Sequence, residues 1–448
     1  MADKKPAISV FGLGKLGCPL AACFAAAGYE VTGIDLNPRV VEAINEGVPP
    51  IIESGLPALF EKGQKHLCAT QYGAQAVAAT DVTFVIVPTP SGSDGTFSNT
   101  YVLSACEAIA NGLASKETYH LVVITSTVMP GSTGGEIREK LEQHSGKKCG
   151  PDFGLCYGPT FVALGTVIRD FLNPDYLLIG ESDIRSGDLL EGIYRDFCEI
   201  VPPMARMNFV NAEVTKLANN AFVSTKITFG NMLAQLCEHL PNAHVDIITS
   251  ALGLDSRIGE KYLKGGLGFG GPCLVRDGVA LVSMAGSLGS EALLAEATVQ
   301  SNRNELERLV TVIKSKTGRN DVVGILGLSY KPGSDVIEDS QGLLLATALV
   351  AEGIAVVAYD PAAMDQARQH LGTSVCFSES AEDCIQETDL VVITTPWKEF
   401  EMINPTAFGP SCARTLIDCW RILDAERFAA VTEYIPLGVG PNVNGPIK

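Results

Sequence analysis

Short apolar runs closed by Gly, Pro or Asp recur along this chain, separated by stretches with helical spacing. Ala7–Phe11, Tyr29–Ile34, the run 81–87 ahead of Pro88, and Leu121–Thr125 read as buried strands. Pro19–Ala27, rich in small residues, reads as a helix that Gly28 ends. Segment 152–180 predicts a loop, a short helix and a strand. Asn208–Leu240 is the longest helical stretch, unbroken by proline until Pro241. Leu281, Leu288, Leu293 and Leu294 mark a further helical region, and 291–316 reads as a charged helix carrying Arg303 and Arg308.

Between the first two strands lies Gly12-Leu-Gly14-Lys-Leu-Gly17, and the second strand closes on Asp35. In a dinucleotide site Gly12 makes the tight turn, Gly14 admits the pyrophosphate and Gly17 lets helix and strand pack closely. The helix N-terminus faces phosphate and Asp35 binds the ribose hydroxyls. A carboxylate there repels a 2′-phosphate, so NAD is favoured over NADP. Thr89 and Thr127 follow two later strands, where a doubly wound sheet lines its ligand crevice. Both also read as turn residues satisfying local backbone.

From residue 321 the chain repeats itself. The run 322–328 matches 8–14, 353–360 matches 28–35, and 388–396 matches 80–88. Three strand edges in one order predict a second Rossmann-like domain. Ser329 stands where Gly14 did, and 330–335 is inserted, so a second dinucleotide is not expected. Lys331 and Arg421 are placed to grip another anionic ligand, such as a nucleotide diphosphate. The fold class is therefore α/β, with two doubly wound domains joined by the long helix and a helical domain. The expected boundaries are 1–203, 204–316 and 317–448.

Residues 265–277 read Gly-Gly-Leu-Gly-Phe-Gly-Gly-Pro-Cys-Leu-Val-Arg-Asp. Pro272 suits the first position of a helix. Cys273 then falls in the first turn, where the helix dipole favours a thiolate. Asp277 follows one turn on. Loop, thiol and carboxylate make a candidate covalent-catalysis site; a buried cysteine after a flexible turn is the plainer reading. Lys216 and Asn220 share one face of the long helix at i, i+4 spacing, which equally describes a solvated face.

Length and composition narrow the field. A chain of 448 residues implies several domains, and 46% hydrophobic with 19% charged residues excludes a disordered chain. Net charge is −18 with pI near 4.8, which disfavours nucleic acid or an anionic membrane as partner. Thirteen cysteines with no CxxC pair argue against disulfide frameworks and zinc, and for a reducing, cytoplasmic setting. No leader is read before the first strand, and no apolar run reaches the ~18 residues that span a bilayer.

Taken in order, these landmarks resemble the nucleotide-sugar 6-dehydrogenases, the family of UDP-glucose and GDP-mannose dehydrogenases, nearly end to end. They are Gly12–Gly17, 87–90, 126–128, 173–175, Lys216 with Asn220, 268–273 with Asp277, 327–332, and Asp418 with Arg421. The resemblance implies oxidation of a primary alcohol to a carboxylate with two NAD. It implies that Cys273 forms a thiohemiacetal and then a thioester, that Lys216 and Asn220 stabilise negative charge on the C6 oxygen, and that Asp277 and Thr127 serve proton transfer through water. The expected NAD contacts are Gly12, Gly14, Lys15, Leu16, Gly17, Asp35, Arg39, Pro88, Thr89, Thr127 and Lys331. The expected sugar-nucleotide contacts are Phe161, Val162, Ala163, Leu164, Lys216, Asn220, Arg257, Tyr262, Lys264, Phe269, Gly270, Lys331 and Arg421. No metal is implied. Arg257 reaches across from a partner subunit in the family, which fits a homodimer, or a higher homo-oligomer, built on the long helix.

One departure stands out. The family usually carries Pro-Glu-Phe-Leu-x-Glu-Gly where this chain has 159–165, with Thr160 and Leu164 in place of both glutamates. The first glutamate is the usual base for thioester hydrolysis, a role threonine cannot fill at neutral pH. Pro272 for the usual Ser and Arg276 for the usual Lys are milder changes. UDP-glucose is the leading substrate. GDP-mannose remains open, and the UDP-N-acetylhexosamine branch is weakened by the absence of its Pro-Glu-Arg-type motif near Pro159. A two-electron dehydrogenase that stops at the aldehyde, and a non-catalytic sensor of NAD and nucleotide sugar, are the alternatives.

Overall fold

A computed structural model describes residues 5–409 and 414–442. The reading of the extreme N-terminus falls partly on residues 1–4, outside the described residues. The chain divides into two compact units, Met1–Ala218 and Asn219–Lys448, and the long helix Phe209–Glu238 carries the chain from one into the next.

The first unit is built on eight strands: β1 (Ile8–Phe11), β2 (Val31–Ile34), β3 (Leu67–Thr70), β4 (Val82–Val85), β5 (His120–Ile124), β6 (Phe153–Tyr157), β7 (Leu177–Glu181) and β8 (Met204–Met207). Their order is β3-β2-β1-β4-β5-β6-β7-β8. Every pairing is parallel except β6 with β7. Alternate residues feed two cores. Ile8, Val10, Phe84 and Val123 pack on one face with Phe24, while Phe11, Val85, Val122 and Ile124 pack on the other with Ile109. That double burial is why the strands read as continuous apolar runs. Strand order reverses between β1 and β4, so the loops after these strands border a crevice.

Three local expectations are corrected. Segment 152–180 contains β6 as well as the helix Val167–Leu172 and β7. The first helix spans Gly17–Ala26, so Pro19 lies inside its first turn, where a missing N–H costs nothing. The helix after the glycine loop begins at Leu274, with Cys273 as its N-cap and Pro272 outside it.

In the second unit the end of the long helix and the helices Val245–Gly253, Leu274–Ser287 and Leu293–Lys316 precede six parallel strands. These are β9 (Val322–Leu326), β10 (Ala355–Tyr359), β11 (Cys376–Phe377), β12 (Leu390–Ile393), β13 (Thr415–Asp418) and β14 (Glu433–Pro436), in the order β11-β10-β9-β12-β13-β14. β9 pairs with β10 and β12 as β1 pairs with β2 and β4. Both sheets, each in its own unit, show the doubly wound pattern expected from the internal repeat.

The repeat keeps its packing glycine and loses its phosphate site. A Cβ on Gly17 would stand 1.8 Å from the Gly12 carbonyl, and one on Gly342 would stand 2.0 Å from the Gly327 carbonyl. Gly342 is thus the second copy's close-packing glycine, displaced by the inserted loop. The N-terminus of the helix Gln341–Ala351 is capped by its own Ser340 hydroxyl, whereas no side chain caps the helix Gly17–Ala26. Asp360, the counterpart of Asp35, is 1% exposed and saturated. It accepts from the N–H groups of Leu328, Ser329, Ala362 and Ala363, the Ser329 hydroxyl and the Trp397 indole. A carboxylate so occupied has nothing left for a ribose.

Candidate functional site

The candidate dinucleotide residues lie in the first unit. Gly12 has φ 90°, and a Cβ there would stand 2.6 Å from the Ile86 carbonyl. Gly14 and Lys15 are exposed, and a Cβ on Gly14 would meet nothing within 4 Å. Leu16 precedes the uncapped helix start at Gly17, so backbone dipoles at that end are available to an anion. Asp35 ends β2, its carboxylate oriented by the N–H groups of Leu13 and Asn37, both at 2.9 Å. Arg39 is exposed in the first turn of the next helix, Pro38–Asn45. These residues fit NAD: an open glycine cradle, a free helix start and an acid at the ribose position.

Beyond β4, Pro88 is exposed and Thr89 is buried. The Thr89 hydroxyl donates to the Thr127 carbonyl at 2.8 Å, and the Ser126 hydroxyl donates to the Val87 carbonyl at 2.7 Å. These bonds brace the two crevice loops against each other. Thr127 is half-buried.

The loop that lacks the glutamates has a different part to play in this structure. Lys216, 7% exposed, donates from Nζ to the Thr160 carbonyl at 2.7 Å, and its ammonium lies 4.7 Å from the centre of the Phe161 ring. Phe161 packs on Tyr176 at 4.8 Å between centroids. Val162, Ala163 and Leu164 are half-buried. Two carboxylates unremarked in the sequence shape the loop. Glu53 accepts from the N–H groups of Gly165 (2.9 Å) and Val167 (3.0 Å). Asp170 accepts from the Ala163 N–H (3.1 Å) and the Thr166 hydroxyl (2.8 Å). Glu213, one turn before Lys216 and fully buried, accepts from the N–H groups of Gly131 (2.6 Å) and Thr133 (2.8 Å). Burial pushes its carboxyl above the usual range despite these bonds.

The candidate thiol lies in the second unit. Cys273 is exposed at the N-cap of Leu274–Ser287, and the Asp277 N–H donates to its carbonyl at 2.9 Å. Asp277 is 1% exposed. Its Oδ2 accepts from Asn220 Nδ2 at 2.6 Å, and Arg276 Nε lies 3.5 Å from its Oδ1. Thiol, carboxylate and amide are therefore linked through one helical turn and one hydrogen bond, as the spacing of Cys273 and Asp277 predicts.

The remaining candidates are distributed unevenly. Arg257 is exposed and paired with Asp255 at 2.6 Å; Tyr262 (φ 64°, 54% exposed) and Lys264 are exposed on either side of the buried Leu263, just ahead of the glycine loop. Phe269 is buried and Gly270 half-buried, a Cβ on Gly270 falling 2.2 Å from the Asp339 carbonyl. Lys331 lies 5.7 Å from the Tyr330 ring centre. Arg421, expected to grip substrate, is engaged inside the unit. It donates to both oxygens of Asp246 (2.7 and 2.9 Å) and to the carbonyls of Gly265 (2.6 Å), Leu437 (2.7 Å) and Cys419 (3.3 Å). That uses all five guanidinium N–H donors, so a phosphate could be held only by giving one up. Burial raises the Asp246 carboxyl, but the hydrogen bonds and charge of Arg421 outweigh it and hold the group below its usual range.

Three family models match in sequence order: the NAD binding domain of the UDP-glucose/GDP-mannose dehydrogenase family over residues 6–198, its central domain over 210–304 and its UDP binding domain over 324–425. The chain is 35% identical over 421 residues to UDP-glucose 6-dehydrogenase AglM of Haloferax volcanii, covering 93% of this chain and 97% of the relative. It is 35% identical over 420 residues to GDP-mannose 6-dehydrogenase of Pseudomonas syringae pv. syringae, covering 90% and 94%. A solved UDP-glucose dehydrogenase from Pyrobaculum islandicum superposes with a TM-score of 0.90 at 32% identity, over 98% of this chain and 99% of that one.

Proposed function

Because this chain belongs to the UDP-glucose/GDP-mannose dehydrogenase family, whose members use NAD, we propose that it oxidises the C6 alcohol of UDP-glucose to the carboxylate through a covalent intermediate on Cys273. The observation that carries this reading is the exposed thiol at a helix start, one turn from a buried Asp277 that holds Asn220. NAD, when bound, supplies the hydride acceptor for each of two oxidations. Gly12, Gly14, Lys15, Leu16, Gly17, Asp35, Arg39, Pro88, Thr89 and Thr127 are the proposed residues of its site. Proposed domain boundaries are 1–203, 204–316 and 317–448.

In the first oxidation C6 loses a hydride and its hydroxyl a proton, giving the aldehyde. The Cys273 sulfur then bonds to C6, and the oxygen takes a proton to give the thiohemiacetal. Loss of a second hydride from C6 and of the hydroxyl proton gives the thioester. Water adds to that carbon, the C–S bond breaks, and carboxylate, thiol and a proton are released. Lys216 and Asn220 are proposed to stabilise the oxyanion at each stage, with Asp277 and Thr127 ordering water. Phe161 to Leu164, Arg257, Tyr262, Lys264, Phe269, Gly270 and Lys331 are proposed to contact the sugar nucleotide. Arg421 is proposed to act on that site through the Gly265 carbonyl.

Thr160 offers Lys216 a carbonyl and supplies no carboxylate, so hydrolysis lacks the family's usual base. We infer that thioester breakdown limits turnover. Intact-mass spectrometry during turnover should then show an adduct that Cys273→Ser abolishes.

We also propose a homodimer on the second unit's part of the long helix. Phe222, Phe229 and Leu236 recur every seven residues along it and are 65%, 45% and 52% exposed, an apolar stripe suited to a second copy. Light scattering should give twice the chain mass, and Phe229→Glu a monomer. The deciding assay for function is a panel of sugar nucleotides with NAD, followed by NADH absorbance. The proposal requires UDP-glucose to be turned over with two NADH per sugar. One NADH per sugar would establish the two-electron reading. GDP-mannose in place of UDP-glucose would assign the other branch, which the Pseudomonas syringae relative keeps in view.

A further inference from the structure

The loop that presents Cys273 has five glycines in seven residues, 265–271, and so little conformational preference of its own. Its shape has to come from outside: Arg421 donates to the Gly265 carbonyl at 2.6 Å, Gln341 donates to the Phe269 carbonyl at 3.2 Å, and two further carboxamides, one buried and one half-buried, each engage a donor and an acceptor of the loop. Asn231, 2% exposed, accepts from the Gly266 N–H at 2.9 Å and donates to the Leu267 carbonyl at 2.9 Å. Asn302, on the helix Leu293–Lys316, accepts from the Phe269 N–H at 2.7 Å and donates to the Phe269 carbonyl at 2.9 Å. Each amide reads a backbone donor and a backbone acceptor, as a neighbouring strand would. Only a carboxamide presents both from one planar group at that reach: Asp keeps the acceptor and loses the donor, and Leu has neither. At the far end, the Gly271 N–H donates to the Glu338 carbonyl at 2.9 Å.

We propose that Asn231 and Asn302 are positioning residues for the reaction. They hold 266–269 in one backbone conformation and so place the Cys273 thiol, a few residues on, at the start of its helix. This rests on Cys273 being the nucleophile. Neither side chain is assigned a contact with substrate or cofactor.

The test uses the full-length chain with Asn302→Asp, Asn302→Leu and Asn231→Asp, each nearly isosteric, and Cys273→Ser in parallel. A displacement of about 1 Å in a reacting group costs up to about 100-fold in rate, so kcat should fall about 10- to 100-fold. KM for NAD should stay within about twofold, because its site is in the other unit. Amide hydrogen exchange in 265–271 should accelerate, and Cys273 alkylation by iodoacetamide should change in rate. The Asp variant, which retains the acceptor, should lose less than Leu. If Asn302→Leu fails to fold, the two Asp variants decide. Faster exchange with kcat unchanged overturns the proposal, and so does a parallel fall in kcat, NAD affinity and melting temperature. If Cys273→Ser still yields two NADH per sugar, the nucleophile reading fails and this one with it. An inactive Cys273→Ser beside fully active Asn variants overturns positioning alone.

Discussion

Replacing Arg421 with Ala tests whether this residue holds the second unit together. The substitution removes five hydrogen bonds and leaves Asp246, the Gly265 carbonyl and the Leu437 carbonyl without their partner. The Arg421 side chain is 5% exposed and that of Asp246 is 32% exposed, so the pair is mostly shielded from solvent. Breaking a buried pair from one side costs about 3–5 kcal/mol; partial exposure of Asp246 places the expected loss near the lower end, ~3 kcal/mol. The chain has two tryptophans, and both Trp397 and Trp420 lie in the second unit, so indole fluorescence during urea unfolding reports that unit. With a urea dependence of ~3 kcal/mol per molar, the midpoint should fall by about 1 M. Arg421→Lys, which keeps charge but only three donors, should fall about half as far. A shift below about 0.3 M for the Ala variant would show that these bonds are replaced by water at little cost and would refute the reasoning.

Gly17→Ala would place a Cβ 1.8 Å from the Gly12 carbonyl, so the first helix must move; NAD affinity should fall steeply by calorimetry while the tryptophan-monitored transition of the second unit stays put. Lys216→Met removes the ammonium from the Thr160 carbonyl and the Phe161 ring, and stopped-flow assays should show kcat lower by about 10²–10³-fold with NAD binding retained. For Asp246, a folded carboxyl held below its unfolded value contributes stability above the unfolded range near 3.9, lost as pH falls through the folded value. The stability gap between the wild type and Asp246→Asn should therefore be largest near neutrality and close below about pH 4, as read by urea midpoints across pH.

Much of this molecule is legible along the chain. Strands β1, β4, β5, β9 and β12 are mostly apolar runs because both their faces are covered. The dinucleotide turn and the Cys273–Asp277 pair are legible because each is completed within a few residues. β6 escaped because Phe-Gly-Leu-Cys-Tyr lacks β-branched residues and contains a glycine, a weak strand signal. The helix start at Gly17 escaped because glycine reads as a breaker, although its small size is what packing there requires.

The sequence by itself determined the fold class, the repeat and the cofactor fingerprint, and singled out Cys273 as the candidate thiol, since local spacing and periodicity encode them. The tertiary structure alone decided how the polar groups are used. Glu53 shapes a loop 112 residues away, Arg421 reaches Asp246 across 175, and Asn302 grips Phe269 from another helix. Asp35 and Asp360 end equivalent strands, yet the first keeps an open site and the second is saturated. A side chain's hydrogen-bonding capacity is written in its residue type, but which partners exhaust it depends on what the fold brings alongside.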